Sequence, residues 1–134
     1  MKNRIKNHDN WATPKEFYNT LDSEFHFDFD PCPLNHKFDG LKCSWGKRNF
    51  VNPPYSRKLK EAFIRKGFNE WKHGKTIVFL LPVSTSTKIF HEIVKFGEIR
   101  FIKGRIKFQP NGKKCNKAGQ MDSMIVIFKR TTKS

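Results

Sequence analysis

The residues of this chain best suited to chemistry form one short motif, Asn52-Pro53-Pro54-Tyr55. Its two prolines fix their own φ angles, so the turn that they form is rigid. Such a turn can aim a carboxamide, a backbone carbonyl and an aromatic face at one small target. The alternative interpretation is a structural turn that only ends a strand. The elements around the motif bear on that choice.

A strand and a helix are predicted on either side of this motif. Residues 48–51 form a short strand that runs into the turn, and Ser56 can cap a helix over residues 57–72. The apolar positions of that helix give it a broad buried side; they are Leu59, Ala62, Phe63, Ile64, Phe68 and Trp71. The motif therefore lies between a strand end and a helix start.

The first part of the chain predicts another helix followed by a strand. Thr13 to Glu16 has the spacing of a capping box with Pro14 at the first helical position, which predicts a helix over residues 14–23. In the next stretch, 25–29, aromatic residues alternate with polar ones, which predicts a strand with its phenylalanines on one face.

The remaining elements define the fold class. Residues 76–81 are almost continuously apolar, as in a central strand covered on both faces. A third helix follows the hydroxyl residues 84–87, and the last strands are predicted at 98–102, 105–108 and 124–128. Strands alternating with helices predict an α/β fold with a mainly parallel sheet, flanking helices and an antiparallel hairpin at one edge.

Polar and proline residues follow three of the predicted parallel strands. Segment 30–33, Asp-Pro-Cys-Pro, follows the first; the Asn52 motif follows the second; and segment 82–84, Pro-Val-Ser, follows the third. In an open α/β sheet, ligands bind outside the carboxyl ends of the strands. We therefore expect all three segments to lie on one rim of the sheet.

The composition indicates one domain and a polyanionic partner. The 134 residues are 37% hydrophobic and 14% aromatic, which is enough for a single domain, 1–134, with its own core. The 27 Lys and Arg residues against 12 Asp and Glu leave a net charge of +15. Such an excess favours nucleic acid as the partner, with an anionic membrane surface second.

The sequence predicts a cytoplasmic protein. Its longest apolar runs are strand-sized, so no segment is long enough for a transmembrane helix, and the basic N-terminal stretch lacks the apolar core of a signal peptide. In a reducing cytoplasm Cys32, Cys43 and Cys115 remain thiols.

Several segments, in this order, resemble the phage-encoded DNA N6-adenine methyltransferase family, often called Dam-like. They read FDFDPCPLNHKFDGLKCSW, FVNPPYS, TIVFLLPVSTSTKIFHEI and IRFIKGRIKF. The opening Trp11-Ala12-Thr13-Pro14 is similar to the family's W-x-T-P, so the resemblance spans 11–128. It implies a compact S-adenosylmethionine-dependent methyltransferase fold, S-adenosylmethionine as cofactor and double-stranded DNA as partner, in the host cytoplasm.

The resemblance gives the Asn52 motif a catalytic role. The N6 amine of adenine is a poor nucleophile because its lone pair is delocalised into the ring. Acceptors at the Asn52 side-chain oxygen and the Pro53 carbonyl would localise that pair, with Pro54 holding the turn rigid. Tyr55 would stack on the adenine, which must be flipped out of the duplex first.

The resemblance also implies a cofactor site. The chain lacks a Gly-x-Gly loop after the first strand and has Asp-Pro-Cys-Pro there instead, so Asp30 is the candidate for the methionine end of the cofactor. Asp39 could bind the ribose hydroxyls, although its Phe-Asp-Gly context is also typical of an ordinary turn. The other cofactor-site candidates are Trp11, Thr13, Pro14, Pro31, Cys32 and Asn52; the capping box explains Thr13 and Pro14 equally well.

DNA contacts are predicted from the family's GRLKF segment, which residues 104–108 resemble. Phe108 is the candidate for the second wall of the base pocket, with core packing as an equal alternative. The basic candidates for phosphate contacts are Arg57, Lys58, Lys60, Arg105 and Lys107. The polar, basic segment 109–120 is predicted to be a loop that orders on DNA.

A zinc site is a weaker prediction. Cys32, His36 and Cys43 form C-x3-H-x6-C, with Cys115 as a possible fourth ligand. This spacing matches no common zinc pattern, and cysteine is often a small buried hydrophobe. We therefore predict no metal.

Other functions stay open at the level of sequence. The motif is shared with enzymes that methylate RNA bases or protein glutamine, and the excess charge disfavours only the protein substrate. A DNA-binding protein that keeps the fold without turnover is a third possibility. A monomer and a homodimer are both compatible with the sequence.

Overall fold

The computed structural model describes residues 11–33, 38–54, 56–107, 109–110 and 120–130. In chain order the elements are β1 (Trp11–Ala12), α1 (Lys15–Phe25), β2 (Arg48–Val51), α2 (Arg57–Lys72), β3 (Thr76–Pro82), α3 (Lys88–Glu92), a 3₁₀ turn (Val94–Phe96), β4 (Glu98–Lys107), β5 (Gln109–Pro110) and β6 (Gln120–Phe128). The result is a mixed α/β structure, as the sequence predicts.

The main sheet has four strands in the order β2-β3-β6-β4. Strands β2 and β3 are parallel, whereas β6 is antiparallel to both of its neighbours, β3 and β4. Three of these strands therefore point in one direction, but two of the three neighbouring pairs are antiparallel, so the prediction of a mainly parallel sheet is confirmed for strand direction and not for strand pairing. The antiparallel pair predicted from the sequence is β4 with β6. Within this pair, β4 is the edge strand, because β6 lies between β3 and β4.

The two strands predicted at 98–102 and 105–108 are one continuous strand, β4, over its described length. The register against β6 shifts between Phe101 and Arg105, and Gly104 lies in this irregularity with a φ of +79°. Glycine tolerates this left-handed conformation without strain, so the chain forms a bulge at a point that the sequence marks as a turn.

The core lies on both faces of the sheet. On one face α1 packs through Leu21 and Phe25 against Phe50, Val78 and Leu80. On the other face α2 and α3 pack on the alternate strand positions, a cluster that includes Phe63, Ile64, Ile77, Phe79, Leu81, Ile89 and Met124. Each fully buried large apolar side chain contributes ~1.5–3 kcal/mol, so β3, covered on both faces, anchors the sheet.

The prediction for residues 25–29 is wrong. Helix α1 continues to Phe25, and His26 ends it in the left-handed conformation. The following segment forms no strand over its described residues; it meets β2 at a parallel bridge, Phe29 to Asn49, and through a hydrogen bond from the Asp28 N–H to the Arg48 carbonyl oxygen. Phe27 therefore packs with the α1 face and Phe29 with the opposite face. The helix continues because Leu21 and Phe25, four residues apart, share the side that the sheet buries.

The carboxyl rim of the sheet forms as predicted. Phe29, β2 and β3 run parallel, so residues 30–33, 52–54 and 82–84 leave the sheet at the same edge, which we call the carboxyl rim. Because β6 runs the other way, its first residues also lie there, with Ser123 paired to Pro82. Among the residues that the structure describes, no helix combines the length and apolar character needed to cross a membrane.

Candidate active site

Thr13 holds the side chain of Asn52 in position. Asn52 follows β2 directly, and its Nδ2 donates to the Thr13 Oγ1 at 2.9 Å. Thr13 is not the helix cap predicted from the sequence, because α1 starts at Lys15 with Pro14 in the cap position. The Thr13 hydroxyl instead bridges to a residue 39 positions later in the chain.

Asn52 is also held through its backbone. The Cys32 thiol donates to the Asn52 carbonyl oxygen at 3.2 Å. Cys32 is buried, and burial raises the pKa of its thiol well above the ordinary value, so the proton needed for this hydrogen bond stays in place. Pro53, the next residue, is buried as well. Thr13 and Cys32 thus fix Asn52 from two different segments.

Asp30 lies beside this arrangement. Its Oδ1 accepts from the Cys32 backbone N–H at 2.9 Å. Burial raises the pKa of the Asp30 carboxyl to about 6, and the hydrogen bond from Cys32 only partly opposes that rise. No Lys, Arg or His within the described ranges forms an ion pair with it. Asp30 is therefore a desolvated carboxylate suited to a cationic ligand.

A glycine contact joins the second acidic candidate to the same segment. A Cβ at Gly40 would lie 1.9 Å from the Pro31 carbonyl oxygen, so only glycine allows this approach. Asp39, the neighbour of Gly40, is exposed, and its Oδ1 accepts from the Leu41 N–H at 2.9 Å. Asp39 thus forms the ordinary turn that the sequence allows, at a place next to Pro31.

The pairing of β1 with β5 places the segment before α1 next to the residues that follow β4. Trp11 pairs with Pro110 and Ala12 with Gln109, in the antiparallel pair of β1 and β5. The segment that contains Thr13 is therefore bound on one side to Asn52 and on the other to the residues that follow β4.

Two comparisons with known proteins bear on this arrangement. Residues 2–134 match the model of a family described as DNA N-6-adenine-methyltransferase (Dam). The chain belongs to this family. It is also 32% identical over 138 residues to a protein of Haemophilus phage HP1 (strain HP1c1) named DNA N-6-adenine-methyltransferase, covering 90% of this chain and 78% of that protein.

The family membership confirms the resemblance drawn from the sequence and the class that it implies, a DNA (adenine-N6) methyltransferase. An enzyme of this class uses a methyl donor and takes DNA as its substrate. Which residues of this methyltransferase bind the donor and the DNA is inferred from the geometry of the site.

The predicted DNA-binding residues fall into two groups. Arg57 and Lys58 are exposed on the first turn of α2, and the Arg57 Nε lies 3.4 Å from the Glu61 Oε2. Arg105 and Lys107 lie in the last part of β4, where they pair with Asp122 and Gln120 of β6. Both groups are at the carboxyl rim.

Two of the predicted site residues, Tyr55 and Phe108, lie outside the described residues, as does most of the predicted loop, 111–119. Of the cysteine and histidine set considered for zinc, His36 and Cys115 lie outside them too. Over the described ranges, no three His, Cys, Asp or Glu side chains cluster closely enough to hold a metal ion.

Sequence reasoning missed Tyr18 and Gly40. Tyr18 lies on α1 and packs edge-on against Phe50, with ring centroids 5.1 Å apart. Burial raises the pKa of its hydroxyl, and the charges of Asp22 and Asp30 add to the effect, so Tyr18 is in electrostatic reach of the site. An aromatic residue on an amphipathic helix carries no signal beyond core packing, and a glycine in a turn carries none beyond the turn.

Proposed function

We propose that this methyltransferase moves a methyl group from S-adenosylmethionine to the exocyclic N6 of an adenine flipped out of DNA, using the cluster of Thr13, Asp30, Cys32 and Asn52. The observation that carries the proposal is the double anchoring of Asn52, by the Thr13 hydroxyl and the Cys32 thiol, next to the Asp30 carboxyl. Two contacts on one residue hold it in a fixed geometry, as preorganised stabilisation of a transition state requires.

In this proposal Asn52 and Pro53 activate the amine. Nδ2 of Asn52 donates to Thr13, which orients the carboxamide and assigns the acceptor role to its Oδ1. The Oδ1 and the Pro53 carbonyl oxygen accept the two N6 hydrogens, and this draws the nitrogen lone pair out of the ring. Preorganised acceptors of this kind need no rearrangement during the reaction, because burial of Pro53 and the rigid Pro54 hold them in place.

The residues near Asp30 fit the proposed donor. S-adenosylmethionine supplies an electrophilic methyl group when bound, and it carries an ammonium and a sulfonium group. A desolvated carboxylate without a cationic partner in the described ranges suits the ammonium group, so Asp30 would hold the methionine end. Pro31 and Cys32 shape this side of the site, and Asp39, beside Gly40, is in the right segment for the ribose hydroxyls. Trp11, Thr13 and Pro14 would close it from the β1 side.

The substrate side is assigned to aromatic and basic residues. Tyr55 would stack on the flipped adenine and Phe108 would form the opposite wall, since a base must leave the duplex before a side chain reaches N6. Arg57, Lys58, Arg105 and Lys107 would contact phosphates, and the net charge of +15 supports a polyanionic substrate. The four-stranded sheet with helices on both faces would then be a compact, single-domain version of the methyltransferase fold.

Transfer of a labelled methyl group tests the proposal. The purified protein is incubated with labelled S-adenosylmethionine and mixed-sequence DNA, RNA or a glutamine-bearing peptide, and the DNA is digested to nucleosides. We expect label in N6-methyl-2′-deoxyadenosine from DNA, and none in the RNA or the peptide. Label in RNA or peptide, or in another base, would overturn the assignment of the substrate, and no label in any of them would overturn the proposed activity.

A further inference from the structure

A cleft opens at the carboxyl rim next to the Asn52 motif. It has a volume of about 370 Å³ and lies between the first turns of α2 and the segment that enters α3. Its floor is apolar and includes Ile64, Leu81 and Met124. Pockets that hold small organic groups typically have volumes of ~300–1,000 Å³, an apolar lining and a few polar groups that fix orientation. The size and lining of the cleft fit one flat, partly apolar group.

The rim of this cleft is cationic. Its described lining residues include three cations and one acid; the cations are Arg57, Lys60 and Lys88, and the acid is Glu61. Arg57 lies 3.4 Å from Glu61, and Lys88 lies 3.7 Å from Glu92, which pairs more closely with Arg65 of α2, at 2.7 Å. These exposed pairs are weak, so they leave the cleft with a net positive charge.

Lys60 is the informative member of this set. It is half-buried, and within the described part of the chain its ammonium group makes no hydrogen bond or ion pair. Burial lowers the pKa of Lys60. The negative charge of Glu61 raises this pKa, and the positive charge of Arg57 lowers it further. A partly desolvated cation at the edge of an apolar cleft is stabilised by an anion from outside the protein.

The position of the cleft separates it from the candidate cofactor site. Asp30 follows Phe29, which bridges to the outer edge of β2, so it lies on one side of Asn52. The cleft lies over Leu81 of β3 and Met124 of β6, on the other side. Asn52 is thus between a carboxylate suited to a cation and a cationic cleft suited to an anion.

We propose that this cleft receives a nucleotide of the DNA strand adjacent to the target adenine, with its phosphate at Lys60 and Arg57 and its base over the apolar floor. The inference rests on the proposed function, because it assumes that DNA approaches Asn52 from this side. Ser84 and Ser86 also line the cleft, and a serine hydroxyl can donate to phosphate or to a base edge. The cleft would then give the enzyme a contact with sequence flanking the target.

Removal of one charge tests the cleft. Lys60→Met keeps the aliphatic stem and removes the ammonium group; Lys47→Met makes the same change at an exposed residue before β2, at the opposite end of the strands. Binding of a fluorescent mixed-sequence duplex is measured by anisotropy across a salt series. We expect Lys60→Met to lose about 5–10-fold in affinity and its log–log salt slope to fall by about one, as for one phosphate contact, while Lys47→Met changes neither.

A second variant separates shape from charge. Ser86→Trp adds a bulky side chain at the cleft without altering the net charge. Because it would displace the bound strand from its reacting position, we expect methyl transfer to DNA to fall by roughly 10-fold or more, with unchanged affinity for S-adenosylmethionine in calorimetry. Equal DNA affinity and salt slope in Lys60→Met and Lys47→Met would overturn the cleft assignment. Weaker S-adenosylmethionine binding in either cleft variant would overturn it too, because the cleft would then belong to the cofactor.

The two proposals fail in different ways. A wild-type protein that binds DNA but transfers no methyl group would contradict the proposed function, and the comparison of Lys60→Met with Lys47→Met would still decide the cleft. A wild-type protein that binds no DNA would overturn both.

Discussion

The Asn52 carboxamide donates to the Thr13 hydroxyl at 2.9 Å, which ties the turn after β2 to the segment before α1. The same asparagine accepts from the Cys32 thiol at its carbonyl oxygen. Two residues that are distant from Asn52 in the sequence therefore hold it, Thr13 at the side chain and Cys32 at the backbone. If Asn52 is the catalytic acceptor, these contacts should affect the rate of methyl transfer more than the stability of the fold.

Thr13→Val tests that expectation. Valine keeps the shape of threonine and removes the hydroxyl, so Asn52 loses one anchor. A net hydrogen-bond contribution of ~0.5–1.5 kcal/mol corresponds to a loss in kcat of up to about 10-fold. Thr20→Val is the matched control, because the Thr20 hydroxyl donates to the Glu16 carbonyl on the exposed side of α1. Equal turnover in the two variants would remove Thr13 from the site.

Asp30→Asn separates binding from stability. Because the folded protein holds the Asp30 pKa at about 6, above the ordinary value of 3.8, it binds more protons than the unfolded chain between these values. The stability that this residue contributes is complete below about pH 3.8 and is lost as the pH rises to about 6. We expect Asp30→Asn to raise the free energy of unfolding above pH 6, by up to roughly 3 kcal/mol.

The same substitution, Asp30→Asn, should weaken the binding of the cofactor. Loss of a charge-assisted contact, worth ~1.5–3 kcal/mol, corresponds to about 10–100-fold in affinity for S-adenosylmethionine. In the wild type this affinity should fall as the pH drops through 6, and in Asp30→Asn it should not respond to pH over that range. Calorimetry across pH measures both effects. A variant that is neither more stable nor weaker in binding would contradict the role given to Asp30.

Gly40→Ala tests the contact between the two acidic segments. The added Cβ would meet the Pro31 carbonyl oxygen at 1.9 Å, and backbone has to move to relieve it. We expect a loss of ~1–3 kcal/mol in stability together with weaker cofactor binding. Gly97→Ala is the control, since its Cβ would meet the Val126 Cγ1 at 2.8 Å just before β4, far from the carboxyl rim. A similar cofactor affinity in both variants would show that segment 38–41 has no part in the site.

The fold was predictable where apolar periodicity is strong. Helix α2 was predicted with its observed bounds, and β3 was predicted as a central strand, because the spacing of their apolar residues reflects burial directly. The prediction failed at 25–29, where alternating phenylalanines that indicate a strand belong partly to a helix end. Tertiary packing of Phe25 outweighs the local alternation there.

The sequence could indicate which candidate residues lie at one rim of the sheet, but not the contacts between them. Asn52 follows β2, and Asp30 follows Phe29, which forms a parallel bridge to β2, so the rule for carboxyl ends of parallel strands places the two residues at the same rim. The Thr13 hydroxyl was equally compatible with a helix cap, and only the three-dimensional structure distinguishes that role from its bond to Asn52. Nor does the sequence reveal that Gly40 touches Pro31, because a close backbone approach leaves no pattern of spacing.

The most direct test of the central claim is the single-turnover rate of methyl transfer by Asn52→Ala at saturating cofactor and DNA. The substitution leaves both prolines in place, so the melting temperature and the affinity for S-adenosylmethionine should stay near those of the wild type. Loss of one preorganised contact to the transition state should lower the rate by ~10²–10³. A variant that folds and transfers methyl groups at the wild-type rate, or one that loses activity only because it unfolds, would contradict the catalytic role of Asn52.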